Sequence, residues 1–209
     1  MTVATAIVQE RPFPFLLGAQ TIAPTMVPFD ALIVINPQND FFPGGARPIP
    51  QSEKILKPTR KLIDFAKQND IEVLVSARSY SSREENHCIV DTYGSELHHK
   101  IGIIYFFNKF YRIKFGSQSC LEGYNSSGEY LYERLCYGEN IDTLLIVGMP
   151  TEECLKVSVL DAINEGFNVL VAIDACRGFD KHKAQQALFE MKKAGAIITT
   201  SVKILKGRV

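Results

Sequence analysis

The feature that most constrains this fold is a series of short, continuous apolar runs. The run ALIVI at 31–35 is rich in β-branched residues and has no polar alternation, which is typical of a strand buried on both faces of a parallel sheet. Runs of the same kind follow at 71–77, 101–107, 143–149, 168–174 and 196–200. Each run predicts a strand that needs covering helices on both of its faces.

Amphipathic segments lie between most of these runs. Residues 52–68, 151–165 and 181–193 place apolar side chains at helical spacing, and Gly166 and Gly195 follow the last two segments as C-caps. Strands alternating with helices of this length imply right-handed crossovers and a doubly wound α/β fold, with helices on both faces of a mostly parallel sheet. Ligands in such folds bind beyond the carboxyl ends of the strands.

The length of 209 residues fits one domain with a sizeable core. Residues 1–28 mix four prolines with apolar pieces and show no periodicity, so we expect an extended N-terminal arm before a single domain over 29–209. An apolar, extended arm of this kind can dock on a partner subunit. An organelle-import segment is the alternative, although Arg11 alone makes a poor basic face.

Charge and hydropathy argue against several classes of partner. The 23 basic and 23 acidic side chains cancel, so no overall field attracts nucleic acid or an anionic membrane. No apolar run approaches the roughly 18 to 20 residues that cross a bilayer, and the N-terminus lacks the layout of a secretion signal. We therefore expect no nucleic-acid partner, no membrane span and a cytoplasmic location.

One cysteine is distinguished from the others by its position. The five cysteines, at 88, 120, 136, 154 and 176, lack the spacing of a zinc site and are expected to be reduced and mostly buried. Cys154 lies in the first turn of the helix predicted after the strand at 143–149, where the helix dipole favours a thiolate, and Lys109 adds positive charge at the same edge. Without this setting, Cys154 would be interpreted as a structural cysteine and Lys109 as a surface charge.

The turn before Cys154 carries a second chemical signal. The Met149-Pro150 bond can be cis at little cost, and a cis bend at Met149 and Pro150 would aim backbone N–H groups towards Cys154 as an oxyanion hole. Asn36 ends the strand at 31–35, at the same edge of the sheet. Since Asn-Pro is a favoured start of a turn, Asn36 could also serve only to cap that turn.

These motifs resemble those of isochorismatase-like cysteine hydrolases, and most closely nicotinamidases, over roughly residues 29–200. INPQNDF at 35–41 is similar to a VDxQNDF motif, FFNK at 106–109 to the strand end that carries the catalytic lysine, and GMPTEEC at 148–154 to the GxxTxxC nucleophile turn. A His-Cys pair at 87–88, before TYGSEL, matches a further element.

The resemblance assigns roles to three positions. It implies that Cys154 is the nucleophile, that Lys109 holds developing negative charge, and that Asn36 stands where the family has the aspartate that transfers the thiol proton. An amide cannot accept and return a proton, and loss of a positioned base costs roughly 10²- to 10⁴-fold in rate. Asp40 is acidic, but the resemblance implies that it orders a loop, so it would have to swing to replace the base.

The resemblance also implies that a metal site has been lost. In nicotinamidases the second strand ends in a D-x-H pair that binds metal, whereas this chain has RSY at 78–80. A guanidinium cannot ligate a cation. His87 is the only aligned ligand, and the adjacent His98 and His99 are expected to be solvated. We expect no metal and no cofactor, since three or four protein ligands are usual.

Two hypotheses follow, and the sequence leaves open whether the chain is an enzyme. The favoured one is a degenerate family member kept for binding, with a small amide as a candidate ligand, or for assembly into a homo-oligomer or a larger complex through its arm. The alternative is an active, metal-independent cysteine hydrolase that cleaves the C–N bond of a small amide. It would use Cys154 and Lys109, with water or Asp40 as the base.

Overall fold

The structure, a computed structural model, describes residues 27–81, 85–101, 110–113, 116–138 and 140–208. Within these residues six strands form one sheet in the order β3-β2-β1-β4-β5-β6, and every neighbouring pair is parallel. The strands are β1 Ala31–Ile35, β2 Glu72–Arg78, β3 Phe110–Ile113, β4 Thr143–Gly148, β5 Asn168–Cys176 and β6 Ile197–Thr199. The predicted parallel sheet is therefore confirmed.

Helices complete the doubly wound architecture. The chain moves from β1 outwards to one edge of the sheet, then returns to β4 and moves outwards to the other edge. Because such crossovers are right-handed, helices from the two halves cover opposite faces. The helices are α1 Leu56–Gln68, α2 Leu131–Tyr137, α3 Lys156–Asn164, α4 Lys181–Ala194 and α5 Ser201–Ile204.

The centre of the sheet is the most deeply buried part of the core. All residues of β1 are at most 1% exposed, and Leu144 to Val147 of β4 are fully buried. Each aliphatic side chain buried in this way stabilises the fold by about 1.5–3 kcal/mol. The two strands that meet where the strand order reverses are thus held firmly, and their carboxyl ends form a fixed platform.

The structure describes one predicted strand only at its first residue and changes the start of one predicted helix. The strand predicted over 101–107 lies outside the described residues except for Ile101, which ends the 3-10 helix His99–Ile101, and the described strand of this region is β3. The helix predicted over 52–68 begins as a 3-10 turn, Ser52–Ile55, and becomes α-helical at Leu56. Left-handed backbone at Gln51 sets the tighter start of this helix.

The N-terminal arm predicted over 1–28 lies outside the described residues, except for Val27 and Pro28. Both of these residues are half-buried, and Val27 packs against the core. None of the described helices is long and apolar enough to cross a membrane.

Candidate active site

Three strand ends bring the informative side chains together. Asn36 directly follows β1, Arg78 is the last residue of β2, and Cys154 lies in the turn after β4. Because β1 is between β2 and β4, these ends are neighbours at the point where the strand order reverses. That point is where doubly wound sheets open a crevice for ligands.

The turn after β4 packs tightly against the end of β1. Gly148 has φ +129°, and a Cβ atom there would lie 2.1 Å from the carbonyl oxygen of Ile35. Met149 N–H donates to that same oxygen at 3.0 Å, and the Asn36 amide nitrogen donates to the Met149 carbonyl at 3.0 Å. The Met149-Pro150 bond is cis, as the sequence indicated it could be. Whether this turn acts as an oxyanion hole stays a prediction.

Cys154 lies in a kinked turn rather than in the regular helix predicted over 151–165. Thr151–Leu155 forms a single π-type turn with Glu153 at φ −112°, ψ −106°, and α3 begins only at Lys156. The Arg47 guanidinium holds the Glu153 carboxylate through two hydrogen bonds of 2.9 and 3.1 Å, which braces the kink. Cys154 therefore lies two residues before the first residue of α3 and not within that helix.

The sulfur of Cys154 is fully buried and is contacted by a guanidinium. Arg78 donates to Sγ from Nη2 at 2.7 Å and from Nε at 3.1 Å. Its remaining terminal nitrogen, Nη1, donates to the Tyr80 hydroxyl. Arg78 is visible in the sequence at the place of the lost metal ligands, but its contact with the nucleophile position is not predicted there. The shared strand edge was the signal that could have indicated it.

Gln38 fixes the backbone that carries this guanidinium. Its side-chain nitrogen donates to the Arg78 carbonyl at 2.7 Å, and its side-chain oxygen accepts from Arg78 N–H at 2.8 Å. The same nitrogen also donates to the Ser95 carbonyl at 2.9 Å. Since Gln38 is only 1% exposed, this clamp is shielded from water and anchors Arg78 at the end of β2.

Burial dominates the protonation of Cys154. It raises the pKa of the thiol above its ordinary value, and the Arg78 charge and hydrogen bonds from Arg78 and Asn36 oppose that rise only in part. The thiol is therefore neutral near pH 7. The predicted preference for a thiolate is wrong in this structure, because desolvation penalises the charged form more than the neighbouring donors favour it.

Asn36 is fully buried beside this sulfur. Its backbone is left-handed, at φ +48°, a conformation that asparagine tolerates better than most residues. Its side-chain nitrogen is used by Met149, whereas its Oδ1 has no hydrogen-bond partner. The residue thus ties the end of β1 to the turn after β4 and leaves an open acceptor in the site. That Asn36 also caps the Asn-Pro turn stays a prediction.

Asp40 has its carboxylate committed to the backbone. One oxygen accepts from Ala46 N–H at 2.8 Å and the other from Cys88 N–H at 2.6 Å. This is the loop-ordering arrangement that the resemblance implied. To act as a base at Cys154, Asp40 would have to give up both hydrogen bonds.

These strand-end features coincide with a family match. An isochorismatase domain matches residues 30–202. The chain belongs to the isochorismatase family. This isochorismatase-family chain is 26% identical to the nicotinamidase of Escherichia coli over 204 residues, with 83% of this chain and 96% of the relative covered. It is also 26% identical to the nicotinamidase/pyrazinamidase of Mycobacterium tuberculosis over 187 residues, with 82% and 98% covered.

Solved structures show the same fold. The pyrazinamidase of Pyrococcus horikoshii in complex with zinc has a TM-score of 0.70 and 26% identity, with 83% of this chain and 99% of that chain covered. The yeast nicotinamidase has a TM-score of 0.70 at 20% identity, with 81% and 98% covered, and supports the fold alone.

The residues of this family member do not fit a metal centre like the one that a zinc complex needs. His87 is 4% exposed and packs edge-on against Phe41 and Tyr80, with ring centroids 5.7 and 5.4 Å away. Burial lowers its pKa, so the ring is neutral, but no three His, Cys, Asp or Glu side chains in the described part of the chain gather as ligands. His98 instead packs at a tilt against Phe42, with ring centroids 4.2 Å apart, and stacks on His99 at 4.7 Å.

Two predictions have different outcomes. Lys109 lies outside the described residues, so its place beside Cys154 stays a prediction. All five cysteines are free thiols, as the sequence predicted; four are buried and Cys136 is exposed.

Proposed function

We propose that this isochorismatase-family chain is degenerate as an amide hydrolase and is kept to bind a small ligand or to serve as a subunit of an assembly. The observation that carries the proposal is the set of contacts at Cys154. A guanidinium and an amide contact the sulfur, and no carboxylate among the described residues does.

The chemistry of amide cleavage explains why this matters. A thiol attack needs one group that takes the sulfur proton and returns it to the leaving amine. Asn36 cannot do this, and the guanidinium of Arg78 has donors and no acceptor. Loss of the base costs roughly 10²- to 10⁴-fold, and the raised pKa of Cys154 reduces the thiolate below the few per cent that a free cysteine has near pH 7.

A second candidate is an active, metal-independent hydrolase of a small amide. The short Arg78–Cys154 contact favours it, because a guanidinium stabilises whatever thiolate forms. Lys109 would assist if it lies where the resemblance implies. The base would have to be water or Asp40, and Asp40 is held by two backbone amides.

Turnover of the purified full-length chain separates the two candidates. We expect release of ammonia from nicotinamide and pyrazinamide, and cleavage of small esters, to stay at the rate of the Cys154→Ala variant. The nicotinamidase of Escherichia coli, assayed in parallel, shows that the conditions support the reaction. Wild-type turnover that disappears on Cys154→Ala would overturn the proposal.

The N-terminal arm is our candidate for the assembly role. We propose that residues 1–28 dock on a second copy or on another subunit, in a reducing compartment such as the cytoplasm, where five free thiols persist. Deleting residues 1–26 is expected to reduce the mass of the complex measured by light scattering while the unfolding midpoint of the domain is retained. An unchanged mass would contradict this role.

A further inference from the structure

We propose that the ligand of this site is a small carboxylate, held by the Arg78 guanidinium at the end of β2, with Oδ1 of Asn36 accepting a hydrogen bond from an N–H or O–H group of the same ligand. The inference rests on the proposed function, in which the site binds and does not cleave. The expected ligand is then an anion and not the neutral amide that the family resemblance suggested.

The guanidinium of Arg78 carries a positive charge that no described acidic side chain balances. The hydrogen-bond partners of the Arg78 guanidinium are the thiol of Cys154 and the phenol of Tyr80, and neither is a carboxylate. Among the described residues no acidic side chain forms an ion pair with it: Asp40 is bound to backbone amides, and Glu153 is paired with Arg47. A part-buried cation without a counter-charge is unfavourable. The described residues of the site therefore leave the charge of Arg78 without a counter-charge.

The edge of the Arg78 guanidinium that contacts Cys154 also has the geometry to bind a carboxylate. Nε and Nη2 of Arg78 form the edge of a guanidinium that binds the two oxygens of a carboxylate in parallel. Here both donors converge on one sulfur, at 3.1 and 2.7 Å. A thiol sulfur is a weak acceptor. A carboxylate that takes this edge exchanges a weak neutral acceptor for two charge-assisted hydrogen bonds.

Asn36 provides a buried oxygen, Oδ1, that accepts no hydrogen bond. Asn36 is 0% exposed, touches the same sulfur, and has no hydrogen-bond partner for its Oδ1. A buried acceptor left without a donor is costly, so a ligand that supplies an N–H or O–H gains affinity there. Arg78 thus favours an anionic group and Asn36 favours a hydrogen-bond donor, and one small molecule can carry both.

Benzoate and benzamide have nearly the same shape and differ in charge. Only benzamide carries an N–H group for Oδ1 of Asn36, so a preference for benzoate means that charge outweighs that hydrogen bond. Calorimetric titration of the full-length chain is expected to show benzoate binding roughly tenfold or more tightly than benzamide. Arg78→Gln is expected to abolish this preference. Arg78→Lys keeps the charge without the fork, and we expect a partial loss. Arg60→Gln, which removes an exposed arginine paired with Asp64 on α1, is the matched control and keeps wild-type binding.

Asn36→Asp is the sharpest variant because it is nearly isosteric. The new carboxylate supplies the missing charge from within the site, so benzoate binding is expected to fall roughly tenfold or more although Arg78 is intact. A structural role of Asn36 alone would weaken benzoate and benzamide equally, and that result would overturn the inference.

Labelling of thiols places the ligand. We expect saturating benzoate to slow alkylation of Cys154, measured by mass spectrometry of its peptide, and not that of the exposed Cys136. Benzamide binding as tightly as benzoate, or no benzoate binding at Cys154, would overturn the inference. Turnover of amides that depends on Cys154 would overturn the proposed function instead, whichever ligand binds.

Discussion

The surroundings of Cys154 are set by two side chains that contact its sulfur, the guanidinium of Arg78 and the amide of Asn36. Asn36 stands at a position where the family resemblance implies a carboxylate, and Arg78 stands at the end of β2. The contact of Arg78 with the sulfur depends on the rotamer of a long side chain and on the Gln38 clamp, 40 residues away in sequence. No periodicity encodes such a contact.

A residue-scale prediction concerns the brace of the kinked turn. Arg47 pairs with Glu153 and also lies over the ring of Phe179, with the guanidinium carbon Cζ 4.3 Å from the ring centroid. We expect Arg47→Gln to lower the free energy of unfolding by about 1 kcal/mol, measured by urea denaturation. Amide exchange in the turn at 151–155 should accelerate.

Arg60→Gln is the control for this brace, because it breaks an exposed pair within α1 for which the described residues provide no aromatic partner. Its expected cost is about 0.5 kcal/mol or less. A cost for Arg47→Gln no larger than that of the control, with unchanged exchange in the turn, would show that the brace is not used.

At the scale of elements, the parallel strands were predictable and their irregular continuations were not. Continuous β-branched runs such as 31–35 and 143–149 indicate buried strands because burial on both faces demands them. The kinked turn at 151–155 has the apolar spacing of a regular helix, so the pattern alone favoured a continuous one. Helix α2 spans only seven residues, too few for a periodic signal.

The contact between the turn after β4 and the end of β1 gives an element-scale prediction. Gly148→Ala would place a Cβ atom 2.1 Å from the Ile35 carbonyl oxygen, in addition to straining φ +129°. Gly166→Ala has a similar positive φ, +94°, with nothing within 4 Å of the new atom. We expect a loss of about 1–2 kcal/mol for Gly166→Ala and about 3 kcal/mol or more for Gly148→Ala in urea denaturation. Equal losses would show that the strand and the turn are not in tight contact.

At the scale of the whole molecule, buried thiols predict a loss of stability at alkaline pH. Burial raises the pKa of Cys88, Cys120 and Cys176 to about 12 and also raises that of Cys154. The unfolded chain releases these protons above about pH 8.5 while the folded chain keeps them. The stability contributed by the buried thiols is therefore complete below that pH and decreases as pH rises, by up to about 1.4 kcal/mol per pH unit for each thiol.

Urea denaturation of the reduced protein between about pH 7 and pH 10 measures this slope. Cys176→Ala is expected to reduce the slope by about one proton, and the exposed Cys136→Ala is the matched control. A slope that Cys176→Ala leaves unchanged would contradict the assignment of these thiols.

The doubly wound fold and the family could be predicted from strand runs and motifs, and the structure and the comparisons confirm both. The proposed carboxylate ligand could not be predicted from the sequence, because it depends on which charges remain without partners once the chain is folded. That balance appears only when Arg78, Asp40 and Glu153 are seen with the groups that they bind.

The most direct test of the central claim is a titration of the Cys154 thiol. The difference in thiolate ultraviolet absorbance between the wild-type chain and Cys154→Ala, followed against pH, reports this one group. We predict an apparent pKa above the ordinary value of about 8.5, because burial outweighs the Arg78 charge. A thiol already ionised at about pH 7 would contradict the account and indicate a nucleophile prepared for catalysis.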